Sequence, residues 1–403
     1  MRAPSVMMLG VASGLSVFGM AIIVPSMHAI ALEYDASLAT VQFVVSAYLF
    51  GLAVAQPASG ILCDRFGRRP VMLGGFAVFT VASLLCAAAP SLPLLIFGRF
   101  MQAVGVSVGT VTSRAILRDT RDGDQMAEAM SYIAAAMGVA PVLAPIVGGF
   151  VDSLVGFRIT FYVTAAMGII VYVAMHMRLG ETLSREHVPP GFRALGRNYG
   201  VLLRSPQFLG YTLIYGFKQG AFFAFLAVGA PFFLVAYGID SQVFGILWGL
   251  LAVAYVGGAT LGAKLTARVG ATTVMRFSVI CTFACGLLFL GVALAGAPGV
   301  HWVLVPMSLL MVFSGSGTPN AMAGAVRHHP TMAGTAAGLS SAIGLVVGGS
   351  FTVLSGAIYT GEFRTIGLLI FGATLATLTS WTIARQPLPA SAEARQSVRS
   401  TDS

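Results

Sequence analysis

Apolar residues in this chain come in long unbroken runs rather than at helical or strand spacing. Glycine, proline or charge separates one run from the next. The runs begin near Val6, Leu38, Val71, Leu92, Met126, Phe157, Phe208, Ser241, Thr272, Gly299, Met332 and Arg364. About twenty apolar residues wound as a helix cross a hydrocarbon core of about 30 Å, so the pattern predicts twelve membrane-spanning helices in an all-α protein. An even number of crossings puts both termini on one side. The longest interior polar stretch, Gly180 to Pro206, carries Pro189 and Pro190 together with Arg185, Arg193, Arg197 and Arg204. It divides the chain into a six-helix bundle over residues 1–179, a linker over 180–206 and a second six-helix bundle over 207–385. The remaining 386–403 form a Ser-, Ala- and Arg-rich tail expected to be disordered.

Two short strings support an internal repeat. "DRFGRRP" at Asp64 to Pro70 follows the second run and "ARVGATT" at Ala267 to Thr273 follows the eighth. Their Arg-x-Gly units fall in equivalent loops about half the chain apart, as duplicated six-helix halves require.

Composition sharpens this picture. Of 403 residues 57% are hydrophobic and only 9% charged, against about 25% charged in a soluble domain; the mean hydropathy is +0.87. The first run is too long, and followed by too many others, to be a secretory signal. The net charge of +9 lies in short loops with no extended basic patch, which argues against a nucleic-acid partner. In the twelve-helix plan nearly all loop arginines and lysines fall on one side, and the opposite loops hold Arg158 and Arg364. The positive-inside rule makes the arginine-rich side, with both termini, cytoplasmic.

The polar groups offer little catalysis. Cys63, Cys86, Cys281 and Cys285 have no His or Asp placed to complete a metal site and read as packing residues. "GVSVG" at Gly105 to Gly109 fits a hydrolase nucleophile elbow, but it lies inside an apolar run, where its glycines suit helix contact. "RHHP" at Arg327 to Pro330 reads as a solvated turn. No cofactor, metal or enzymatic activity is expected.

"GILCDRFGRR", Gly60 to Arg69, closes the second run. Gly60 permits close helix approach, Asp64 can pair with a neighbouring helix end, Gly67 allows a tight reversal, and Arg65, Arg68 and Arg69 can anchor the loop at the membrane surface. "GVAPVLAPIVGG", Gly138 to Gly149, places Pro141 and Pro145 four residues apart before Gly148 and Gly149. Lost backbone bonds and missing bulk there make a bend and a close-packing face, read either as a hinge or as a static kink.

These strings carry a resemblance. The loop from Gly60 to Arg69 resembles the signature loop of the major facilitator superfamily, in which it latches the cytoplasmic side. "RFMQAVGVSVGTVTSRAILRD", Arg99 to Asp119, with its exit through Arg118, is similar to the fourth helix of the drug:proton antiporter branch. Gly138 to Gly149 resembles that branch's antiporter motif. "TPNAMAGA" at Thr318 to Ala325 and "AGTAAGLS" at Ala333 to Ser340 resemble the bicyclomycin and chloramphenicol resistance group. The resemblance implies two pseudo-symmetric six-helix bundles around a central cavity lined by the first, fourth, seventh and tenth helices. It implies a gate at Gly60, Asp64, Arg65, Gly67, Arg68, Arg69 and Arg118, and a hinge at Pro141, Pro145, Gly148 and Gly149.

Within "GYTLIYGFKQGAFFAFL", Gly210 to Leu226, one lysine stands among apolar and aromatic residues. Ten residues past Phe208, at about 1.5 Å each, put Lys218 roughly 15 Å into the membrane. Ionisable groups at that depth face a bundle interior or a watery cavity and are functional candidates. With Gln219 on the seventh helix go Arg99 and Gln102 on the fourth and Asn320 on the tenth as substrate-binding candidates; Tyr48 and Phe222 offer aromatic surface. Arg114 lies nearer the cytoplasm, where Asp119 gives it a plain structural partner.

The group's membrane aspartate on the first helix is replaced: "MAIIVPS" keeps Pro25 but has Ala21 in the acid's place, and none of the fourteen Asp and Glu residues falls in the membrane middle. The cavity is expected to be net positive, favouring neutral or anionic solutes. Lys218 and Arg99 then become candidates for coupling, the lysine giving up its proton in one access state and regaining it in the other; the plainer reading leaves Lys218 to hydrogen-bond carbonyls or hold substrate. The expectation is a monomeric transporter of the bacterial inner membrane that exports a small amphipathic, neutral or anionic drug-like molecule against protons. The alternative is a carrier for an organic anion or neutral metabolite without proton antiport, with Lys218 and Arg99 as its anion site.

Overall fold

The computed structural model describes residues 5–121, 123–183, 192–296 and 299–386; Arg185, Pro189, Pro190 and the tail beyond Gln386 lie outside them. Twelve described helices are long and apolar enough to cross a membrane. They are α1 (Val6–Glu33), α2 (Leu38–Phe66), α3 (Arg68–Ala87), α4 (Leu92–Thr120), α5 (Glu128–Val155), α6 (Arg158–Arg178), α7 (Pro206–Tyr237), α8 (Ser241–Val269), α9 (Ala271–Leu294), α10 (Val300–Arg327), α11 (Ala333–Ile358) and α12 (Phe363–Ala384). Lipid offers no hydrogen bonds, so each span must satisfy its own backbone, and a helix is the way a single segment does so.

Two details depart from the pattern of apolar runs. The polar linker contains a helix, Phe192–Leu202. And α1 is not continuous: a helix over Val6–Ala21 gives way to a 3-10 turn over Val24–Ser26 around Pro25, then resumes over Met27–Glu33. Proline has no N–H to donate and clashes with the preceding turn, so the break falls where the sequence puts Pro25.

The internal repeat is visible in the backbone. Gly67, between α2 and α3, has φ 97° and ψ 159°; Gly270, between α8 and α9, has φ 85° and ψ 152°. Both take a positive φ that an L side chain would resist, which is why each Arg-x-Gly unit ends in glycine. The packing repeats too. In the first half α1 lies against α4 and α5, α2 and α3 against α4, and α6 against α3; in the second α7 lies against α10 and α11, α8 and α9 against α10, and α12 against α9. The halves meet through α2 on α11 and α5 on α8.

Those two seams are closed at one end only. At the face opposite the Arg-x-Gly loops, the Gln42 amide donates to the Ala227 carbonyl, and Ser241 Oγ donates to the Pro25 carbonyl at 3.1 Å. There the Cα of Gly149 lies against the Ser241 carbonyl oxygen and that of Gly245 against the Pro145 carbonyl oxygen. Toward the arginine-rich face the seams thin out: Ser341 Oγ donates to Gln56 Oε1 at 2.9 Å, and beyond it on α11 a methyl group on Gly334 or Gly338 would meet nothing within 4 Å. Among the described residues the side-chain hydrogen bonds between the bundles therefore lie at the opposite face and end at the Ser341–Gln56 pair.

Gly245→Val should push α8 off α5, because a fixed backbone oxygen cannot yield; overpacking of this kind costs about 1–3 kcal/mol. Spin-label distances across the opposite face should show the closed population falling by about tenfold or more, with the unfolding temperature nearly unchanged because the contact lies between bundles. Gly105→Val, which meets the Phe79 backbone inside the first bundle, should instead lower the unfolding temperature. Unchanged distances in the Gly245 variant would refute the seam.

Candidate transport site

Arg99 is 0% exposed, in the middle of the first bundle. Its guanidinium donates to the carbonyls of Gly19 (2.8 Å), Met20 (3.3 Å) and Val44 (3.1 Å) and to Gln102 Oε1 (2.9 Å). It also sits 4.3 Å from the centre of the Tyr48 ring, whose hydroxyl donates to the Ser16 carbonyl at 2.9 Å. Gly19 and Met20 end the first segment of α1, where the break at Pro25 leaves carbonyls without helical partners; Arg99 supplies the donors. Gln102 passes the network on, its amide donating to Ser83 Oγ at 2.7 Å and Thr164 Oγ1 at 3.4 Å. Arg99, Gln102 and Tyr48 are thus brought together as a bolt through α1, α2, α3, α4 and α6.

Lys218 is 1% exposed. Its amine donates to Ser278 Oγ (2.6 Å), Thr282 Oγ1 (3.1 Å) and the Phe313 carbonyl (3.2 Å). The expected orientation toward cavity water needs correcting: the amine is turned into the second bundle, onto α9 and α10, and protein hydroxyls take the place of water. Neither lipid nor a carboxylate meets it. The hydroxyls serve as partners because a hydroxyl that accepts from the amine still has its own proton to donate, as Ser278 Oγ does across to the Phe313 carbonyl of α10 at 2.6 Å.

The other predicted residues scatter. Gln219 is half-buried beside Lys218 but points elsewhere around α7. Phe222 is half-buried, with Phe223 and Trp248 rings 5.1 and 5.2 Å away. Asn320 is not with Lys218 either: its amide donates to Thr266 Oγ1 at 3.0 Å and the Ser316 carbonyl at 3.2 Å, pinning α10 to α8 near the arginine-rich end. In α5, Gly148 lies against the Ile22 carbonyl of the α1 break and Pro145 and Gly149 against α8, while Pro141 lies inside the continuous helix.

At the arginine-rich face, part of the expected gate assembles. Arg68 pairs with Asp64 at 2.5 Å and with Asp119 at 2.8 Å. Glu181, just past α6, accepts the backbone N–H groups of Arg68 (2.8 Å), Arg69 (3.2 Å), Thr182 (3.0 Å) and Leu183 (3.0 Å). Arg69 Nε donates to the Leu179 carbonyl at 2.9 Å. A carboxylate on the free N–H groups at the start of α3 is favoured by the helix dipole as well. Gly60 faces Val111 of α4. Arg65 only covers the Phe66 ring, and Arg118 is exposed on its helix; neither joins this network. Asp119 and Glu181 were not foreseen as its acids. The open N–H groups following Gly67 were the one available signal for Glu181.

Residues 9–353 match the Major Facilitator Superfamily. The chain belongs to that superfamily. It is 30% identical over 348 residues to a bicyclomycin resistance protein homolog of Haemophilus influenzae, covering 85% of this chain and 86% of that one. It is 30% identical over 360 residues to multidrug resistance protein D of Escherichia coli, covering 89% and 90%. The fold superposes on a D-xylose-proton symporter with a TM-score of 0.76 at 14% identity, covering 95% of this chain and 99% of the other. The protein is accordingly a multi-pass membrane transporter and not an enzyme.

Arg99→Met should cost at least about 2 kcal/mol, since it strands the Gly19 and Met20 carbonyls at about 1–3 kcal/mol each. Lys218→Met removes a buried charge of similar volume and leaves hydroxyls that can rebond locally, so it should cost less than about 1 kcal/mol or stabilise. Thermal unfolding in detergent measures both, and the reverse order would contradict the two roles.

Glu181 gives a pH signature. Burial works to raise its pKa, but the four backbone N–H groups together outweigh it and hold the carboxyl below its usual range. Its contribution is therefore fully present above the ordinary glutamate value of about 4.3 and is lost as pH falls through the depressed one. Unfolding temperature followed from pH 6 downward should show a decline below about pH 4.3 that is smaller in Glu181→Gln, which starts less stable; identical curves would rule the contact out.

Proposed function

We propose that the protein exports a small amphipathic, neutral or anionic molecule across the bacterial cytoplasmic membrane by alternating access, exchanging it for protons. In this reading the bundles of residues 1–179 and 207–385 rock about the α5–α8 seam, with Pro141, Pro145, Gly148 and Gly149 as the hinge and the Asp64–Arg68 network as the cytoplasmic gate. The observation that carries it is the set of bonds between the bundles at the face opposite the arginine-rich loops, ending at Ser341–Gln56; this reading takes the bundles to part toward the arginine-rich face, which the positive-inside rule makes cytoplasmic. Such a state loads from the cytoplasm. The relatives named for bicyclomycin and multidrug resistance support cargo of drug size. Arg99 and Lys218 are the coupling candidates because each is a membrane cation with no carboxylate partner among the described residues. Gln219 and Phe222, half-buried on α7, are candidates for cargo contact. A monomer suffices, since both bundles come from one chain.

Ala21 favours a second reading, a carrier for an organic anion or neutral metabolite that uses no proton antiport.

Reconstituted protein in vesicles separates the two. With an imposed pH gradient, uptake of an amphenicol or a fluoroquinolone should be concentrative and should vary with external pH, and Lys218→Ala should flatten that dependence. A rate independent of pH in the wild type would remove the antiport; no concentrative movement under any gradient would count against export.

A further inference from the structure

We propose that a slot on the outer side of the first bundle, between α1, α5 and α6, holds an acyl chain of an anionic phospholipid from the leaflet at the arginine-rich face, with Arg178 as the contact for its headgroup. The site lies apart from the cargo path and from the residues assigned to coupling.

The slot has a volume of about 630 Å³. Its walls run from Val6 to Phe18 along α1 and from Tyr132 to Leu143 along α5, and Met167 of α6 forms its back. Small residues create it. A methyl group on Gly10 would meet the Ala136 Cβ at 3.3 Å, and one on Gly14 the Ala136 carbonyl oxygen at 3.2 Å. The two helices thus touch through glycine and alanine, with no side-chain bulk to fill the gap in front of Met167. One end is shut, where Ala21, Ile22 and Ala144 pack with Phe18, Val147 and Val163. From that contact the slot runs to the first turn of α1.

Its position says what fills it. The helix behind it, α6, packs on α3 and to a smaller extent on α1 and α5. A slot backed by Met167 therefore opens away from the second bundle, onto the membrane, and Met7, Val139 and Leu143 stand exposed along its rim. Twelve residues of α1 at about 1.5 Å each make it about 18 Å long, against about 15 Å for half of a hydrocarbon core. That is the reach of one acyl chain in one leaflet. Water finds no polar partners along such walls, and an empty slot would forfeit dispersion contacts on three sides, so hydrocarbon occupies it.

The charge at the open end selects the headgroup. Arg178 ends α6 eleven residues beyond Met167, about three turns on and within about 20° of the same helix face. It is exposed, and among the described residues it makes no ion pair and no side-chain hydrogen bond. Glu181, close by in sequence, is engaged by the backbone N–H groups of Arg68, Arg69, Thr182 and Leu183. Tyr132, at the same end of α5, is 58% exposed and brings a hydroxyl to the depth where tyrosine is favoured. A guanidinium pairs with a phosphate through two parallel N–H bonds. A zwitterionic headgroup carries its own cation to compete for that phosphate; an anionic one does not.

The test uses full-length protein extracted from vesicles of equal parts phosphatidylglycerol and phosphatidylcholine, with native mass spectrometry counting the retained lipids by headgroup. In the wild type the most tightly held lipid should be phosphatidylglycerol, preferred about fivefold, the effect of one arginine near a headgroup. Arg178→Gln should still retain a lipid but hold the two kinds equally, and Arg178→Lys should keep the preference. Arg268→Gln, which removes an arginine from the end of α8 in the other bundle, should leave it unchanged and so excludes a general attraction to the basic face. Val11→Trp and Val139→Trp each add bulk to an exposed wall and should lose the lipid of either kind, with unfolding temperatures in detergent near that of the wild type. No retained lipid in the wild type, a preference that survives in Arg178→Gln, or an unchanged count in both tryptophan variants overturns the proposal. A drug-sized solute using the slot as its way in predicts instead that both tryptophan variants stop transport in vesicles while keeping the lipid, which would overturn it too. Failure of the wild type to transport any solute would refute export and leave the lipid site standing.

Discussion

A cation cannot be left bare in a hydrocarbon layer, and each bundle is organised around one that the protein itself solvates. Arg99 and Lys218 are both fully enclosed and neither is met by a carboxylate; carbonyls and hydroxyls do the work instead. Hydrogen bonds to a charged group are worth about 1.5–3 kcal/mol each, enough in number to offset desolvation only if the donors are saturated, and the helices around each cation are placed accordingly. In the first half this fixes the break in α1 against α4. In the second, where the cation rides on the helix equivalent to α1, it ties α7 to α9 and α10. The two halves share a fold but solve the same electrostatic problem from different helices.

The rigidity so gained stays within each bundle. Between bundles the contacts are of another kind: glycine against backbone, with a few neutral hydrogen bonds such as Gln42 to Ala227 and Ser241 to Pro25. A neutral bond contributes about 0.5–1.5 kcal/mol net, so opening the sealed face costs a few kcal/mol rather than the tens that tearing out Arg99 would. Even the charged network at the other face, Asp64, Arg68, Asp119 and Glu181, is drawn from the first half and the start of the linker. It travels with that bundle and does not bridge the two bundles in this state. Strong electrostatics inside and weak packing between are what two bodies that rock past each other require.

The same contrast explains what could be read from the sequence. The spans and the repeated turn were legible because lipid imposes length and composition on each segment separately, and because a tight turn at Gly67 and Gly270 demands glycine at both. That Lys218 lies within a membrane-length helix was legible for the same reason. Its direction was not: α7 is apolar on all sides, so no periodicity distinguishes the face toward the first bundle from the face toward α9. Asn320 misled likewise, its rotation around α10 pointing it to Thr266. Arg114 failed differently. Asp119 is close to it in sequence, but a carboxylate goes to the cation the fold brings nearest, and that was Arg68, 51 residues away.

Ala21, at the place where the resemblance leads one to expect an acid, is embedded in the structure. Ala21 is 2% exposed and lies with Ile22 and Ala144 in an apolar contact bordered by Phe18, Val147 and Val163, and Gly148 approaches the next carbonyl so closely that no side chain fits. Burying a carboxylate in that apolar contact without a partner would cost several kcal/mol. The first helix has closed onto α5 at the point where an acid would need room and water.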